Sequence, residues 1–120
     1  MANEISVNIA LTVANGNLRE FITSGSQQFT QAAVGGPVPG YQTIGTTEET
    51  ITTSELSTLG WAYFQNLDAT NYVELGFSTG VYGIRLEPGE PAVFRLKPAA
   101  TIYAKANTSA CKLQVKIFED

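Results

Sequence analysis

Along most of the chain the apolar side chains fall at every second position, a period that predicts strands with one buried face. Ile5, Val7, Ile9, Leu11 and Val13 alternate with Ser6, Asn8, Ala10 and Thr12. Asn15-Gly16 follows at once, and a hairpin turn is expected there because both residues tolerate positive φ. The chain then returns through Leu18–Ile22, breaks at Ser24-Gly25-Ser26 and resumes as a strand over Gln28–Val34. Gly35-Gly36-Pro37-Val38-Pro39-Gly40 reads as a loop, since neither its glycines nor its prolines suit a strand interior. From Tyr41 to Thr58 the chain is rich in Thr and Glu and poor in large apolar groups. Short strands around Tyr41–Ile44 and Glu49–Thr53 fit this stretch, and so does an extended arm lying on a neighbour.

The second half is more regular. Gly60–Gln65 predicts a strand, followed by a turn over Asn66–Asn71 whose side chains bond their own backbone. Val73, Leu75 and Phe77 alternate with Tyr72, Glu74 and Gly76, and Ser78-Thr79-Gly80 turns the chain again. Tyr82, Ile84 and Leu86 form an inward face. Glu87-Pro88-Gly89-Glu90 matches a type II turn, with proline second and glycine third. Ala92, Phe94 and Leu96 face inward, Ile102–Ala106 is the next strand, and Cys111–Phe118 is the last. About nine or ten short strands result, and no amphipathic stretch is long enough for a helix. The fold expected is all-β: a single antiparallel β-sandwich domain over residues 1–120, jelly-roll-like, with 35–58 a loop or arm-like segment. An immunoglobulin-like sandwich is the other topology, and the absence of paired cysteines lowers it.

Composition narrows the function. The chain has 120 residues, room for one modest core, with only 15% charged residues against about 25% in a typical domain. Ser, Thr, Asn and Gln replace those charges, an exterior common on β-proteins that pack against other proteins. Net charge is −4, and the excess acid lies in the first half, where Arg19 is the lone base. No concentrated basic surface is expected, so no nucleic acid partner is expected either. The N-terminus has neither a basic region nor an apolar run, and no stretch approaches a membrane span, so a soluble protein made in a cytoplasm is expected.

Chemistry is sparse. There is no histidine and one cysteine, Cys111, so histidine-dependent triads and the familiar Cys/His zinc sites cannot form. No metal or cofactor is expected, and no pH-switched grip. Cys111 shares a strand face with Leu113, Val115 and Ile117 and reads as a buried structural thiol. The acids are scattered, which weighs against a glycosidase pair. Asp68 suits a turn better than a calcium site. The chain does not read as an enzyme. Trp61 and Tyr63 share one strand face and Ala62 and Phe64 the other. One face must be core. The other is either covered as well or an aromatic surface for a sugar or a subunit.

Two stretches, Thr43–Glu49 and Phe64–Gly76, together with the Pro-Gly-Glu turn inside Leu86–Leu96 and the run from Ile102 through the last strand, resemble small virion structural proteins of tailed bacteriophages. The resemblance implies a capsid cement or decoration protein, a homo-oligomer with a trimer favoured. Its partners would be the major capsid protein or other virion proteins, and its place the virion after synthesis in the host cytoplasm. It brings no catalytic residues. The contact is expected in Gln28–Thr58 and beside it, at Phe29, Tyr41, Ile44, Glu48, Glu49 and Trp61. A tail or fibre module and a carbohydrate-binding sandwich are the alternatives.

Overall fold

The computed structural model describes residues 2–120, which contain ten strands and no helix. Where one domain is expected, the chain falls into two compact units, one through Ala32 and one from Ala33 to Asp120.

The first unit is a two-stranded antiparallel sheet of β1 (Ile5–Asn15) and β2 (Leu18–Phe29). The turn sits one residue later than Asn15-Gly16 suggests: Asn15 pairs with Leu18, so Gly16 and Asn17 are its central residues. Ser24-Gly25 does not end a strand. The pairing passes from Ala10–Thr23 to Asn8–Ser26, leaving Ile9 opposite two residues, a β-bulge. Gly25 takes φ of 66° there, which a side chain would resist. The Ile9 amide donates to Ser24 Oγ at 2.9 Å, so the interrupted ladder is repaired locally. The strand expected over Gln28–Val34 ends at Phe29.

The second unit holds β3 (Val38–Ile44), β4 (Glu49–Thr50), β5 (Leu59–Asn66), β6 (Val73–Gly76), β7 (Ile84–Leu86), β8 (Pro91–Arg95), β9 (Tyr103–Ala106) and β10 (Cys111–Glu119). They form two four-stranded sheets, ordered β3-β10-β5-β8 and β4-β9-β6-β7. The pairs β3–β10, β4–β9, β5–β8 and β6–β7 are all antiparallel. They are the rungs of one long hairpin whose bend lies between β6 and β7. Rolling that hairpin brings β10 against β5 and β9 against β6, which completes the sheets. This is jelly-roll topology.

The period of two explains which side chains fill the space between the sheets. Cys111, Leu113, Val115 and Ile117 of β10 are wholly buried, while Lys112, Gln114 and Lys116 point away. On β5 the buried positions are Leu59 and Gly60 at its start and then, in alternation, Ala62, Phe64 and Asn66. Phe64 stacks on Phe94 of β8 with ring centroids 5.2 Å apart, and Phe77 meets the same ring edge-on at 6.4 Å.

Residues 35–58 differ from the expected loop or arm. β3 begins at Val38 and runs through Pro39 and Gly40, on an edge of its sheet, where proline is tolerated. β4 is only two residues long, yet the chain around it is anchored: Ile44, Ile51 and Leu56 are buried in the jelly-roll core. The Ile51 amide donates to the Ile102 carbonyl at 2.8 Å. This polar stretch belongs to the sandwich itself.

Candidate assembly surfaces

The β1–β2 unit carries a surface that the jelly roll lacks. None of its strand residues is buried. Directly opposed residues of an antiparallel pair share a face. Ile5 faces Phe29 and Leu11 faces Ile22, on either side of the bulge. Phe29 and Ile22 are seven positions apart, so an unbroken strand would send them to opposite faces. The extra residue of the bulge corrects the parity. The face so assembled includes Ile5, Val7, Ile9, Leu11, Leu18 and Ile22, with Ile9 45%, Leu11 56%, Leu18 58% and Ile22 56% exposed. The opposite face is polar, with Ser6 and Ser26 hydroxyls 3.0 Å apart, and Phe21 is its one large apolar side chain.

A second surface is the outer side of the β3-β10-β5-β8 sheet. Tyr41 on the edge strand is exposed, and the Lys112 ammonium lies 4.7 Å from its ring centre. Trp61 and Tyr63 are half-buried, so β5 is fully covered on one face only. The Tyr63 hydroxyl is 2.8 Å from Gln65 Oε1, and Gln65 Nε2 donates to the Gly89 carbonyl at 3.2 Å. These polar ends are engaged within the chain. Elsewhere, an open cleft of about 630 Å³ is lined by Phe77, Phe94, Lys97 and Tyr103, from strands of both sheets and the segments that follow them.

The six contact residues expected from the sequence do not form one site. Phe29 ends β2, in the first unit. Tyr41 and Trp61 are on the outer side of the first sheet of the jelly roll. Ile44 is wholly buried and belongs to the core, so it is removed from any contact surface. Glu49 is half-buried, and its carboxylate accepts the Gly45 amide at 2.6 Å, closing the turn into β4. Glu48 accepts hydrogen bonds from the Thr79 and Tyr82 hydroxyls and from the Gly80 amide at 2.7 Å. It fastens the β3–β4 turn to the bend of the rolled hairpin. No sequence signal marks this tie, because its partners lie more than thirty positions away.

The Thr79, Tyr82 and Gly80 donors hold the Glu48 carboxyl below its usual range. The same bond pushes the Tyr82 phenol up to about 12. The sign for Glu48 follows directly. A carboxylate with a depressed folded-state pKa adds stability above its unfolded value, and that stability is lost as pH falls through the folded value. Glu119 and Asp68 act in the same direction. Ser57 donates to Glu119 from its amide and hydroxyl, and Asn71 and Thr70 amides donate to Asp68. Asp68 is thus a turn-forming side chain. Between about pH 7 and about pH 3, the thermal midpoint of the native chain should fall more steeply than that of Glu48→Gln. Parallel curves would show that the carboxylate tie contributes nothing.

Buried Cys111 has its thiol pushed up by desolvation, which disfavours the nucleophilic thiolate. No group of three or more His, Cys, Asp or Glu side chains converges among the described residues. Arg85 bridges Glu74 at 3.0 Å and lies 3.8 Å above the Tyr72 ring, and Arg95 pairs with Asp120. Two of the bases are therefore matched by acids. No family model, curated protein or solved structure matches the chain.

Proposed function

We propose that the chain is a structural protein of a tailed-phage particle, a cement or decoration protein that attaches to the capsid shell. One observation carries this reading beyond the sequence resemblance. The jelly roll has its own closed core, yet it is joined in sequence to a sheet of two long strands that buries none of its side chains. A two-stranded sheet is marginal in water unless something covers it. Such a sheet suits a protein whose surface is completed by assembly. Jelly rolls serve as viral capsid and lectin domains, so the fold suits the reading without singling it out.

The contact is better sought outside the stretch before Trp61. The polar stretch before Trp61 is spent on the jelly-roll core and on the Glu48 tie, which leaves β1–β2 as the better candidate. Electron cryo-microscopy of the particle that carries this chain tests the reading. The expected result is jelly-roll density on the outer shell, with the two-stranded sheet in a contact. Density confined to the tail would favour a tail or fibre module, and absence from the particle would end the virion reading.

A further inference from the structure

We propose that the β1–β2 sheet is a homotypic clasp, its apolar face packing on the same face of a second copy of this chain. The inference does not depend on the virion reading, because it concerns the purified chain alone. The face is built rather than incidental. A bulge at Ser24-Gly25 restores parity so that Phe29, opposite Ile5, falls on the face that already holds Leu11, Leu18 and Ile22. Without it, Phe29 would fall on the polar face instead.

Size and charge favour a second copy as the occupant. Side chains about half exposed along this face present roughly 500 Å² per copy, hence about 1,000 Å² for a pair, the lower bound of a specific interface. The face carries one charged side chain, Glu20, opposite Val13 near the turn. Two such faces related by a two-fold axis, with strands antiparallel, place the two Glu20 carboxylates at opposite ends. Each then stays at a hydrated rim, and Ile9, Leu11 and Ile22 lie nearer the centre, with Gln27 as a neutral polar neighbour opposite Val7. Parallel stacking would bring the like charges together, at a cost that the antiparallel arrangement avoids. The interface is self-complementary, as two-fold symmetry requires. Sheet faces packed in this way lie about 10 Å apart, enough for one interdigitated layer.

Sedimentation of the full chain, 12.9 kDa per copy, tests the clasp. The expected result is a mass of two or more copies. Leu11→Ser combined with Ile22→Ser should weaken association roughly a hundredfold. Phe21→Ser, on the opposite face, should leave it unchanged. All three positions are exposed and outside the jelly roll, so the core reports separately that the chain is folded. As an independent reading, Leu11→Cys should give a disulfide-linked pair on mild oxidation, and Thr12→Cys should not; Cys111 is buried and does not compete. A chain that stays single at high concentration overturns the proposal and points to a different partner for this face. So does association that ignores the Leu11 and Ile22 changes, or equal cross-linking from both faces.

Discussion

Asn66→Leu should lower the stability of the jelly roll by about 2–4 kcal/mol, although it replaces a buried amide with an apolar group of similar size. Asn66 is wholly buried at the end of β5. Its Nδ2 donates to the Asn71 carbonyl at 2.8 Å and the Leu86 carbonyl at 3.0 Å, and its Oδ1 accepts the Asp68 amide at 2.9 Å. Its own amide and carbonyl bond Glu90 and Gly89 across the adjacent turn. One side chain therefore satisfies three backbone groups and ties β5 to the end of β7. Leucine would remove the partner of all three groups, with the Leu86 carbonyl in a buried position, and that cost exceeds the gain from apolar burial. Urea denaturation should show a lower midpoint with an unchanged slope. A midpoint at or above that of the native chain would mean that the buried amide is not needed.

Phe64→Ala should cost about 3–5 kcal/mol, the usual range for emptying an aromatic site in a core. Phe64 is wholly buried on a central strand and stacks on Phe94 at an interplanar angle of 9°. The adjacent positions are held by strand pairing to Val115 on one side and Ala92 on the other, so the cavity cannot easily collapse. Phe94→Ala removes the other ring of the same stack from an edge strand where it is only half-buried. Its cost should be clearly smaller. Equal losses in the two variants would place the weight in the ring pair itself and not in the filling of the core.

These two sites differ in how far the sequence announces them. The alternation Cys111-Leu113-Val115-Ile117 and the Ala62-Phe64 face are visible in the sequence because one buried side imposes a strict period of two. The Glu87–Glu90 turn is equally legible: Gly89 takes φ of 82°, as a type II turn needs at its third position. Asn66 sits in a stretch whose residues all suit a turn, and nothing local distinguishes the one that is buried. Ile51 and Leu56 are single apolar residues among Thr, Ser and Glu, and they reach the core from irregular backbone without any period. The Ser24-Gly25 bulge uses the residue types of a chain break, so a continuous strand reads as two. The largest gap concerns β1. Its alternation is the signature of a strand with a covered face, and the pattern does not record whether the cover comes from the same chain. The proposed contact accordingly lies on the β1–β2 face and not across Gln28–Thr58.

On the proposed clasp, the jelly roll keeps a core of its own while the two-stranded sheet is covered by a second copy. Hydrogen exchange of the full chain, diluted until it is a single copy, tests this most directly. Strong protection of the Cys111–Glu119 amides and rapid exchange over Ile5–Phe29 are expected at that dilution. Protection of Ile5–Phe29 as strong as that of Cys111–Glu119 in the single chain would contradict it.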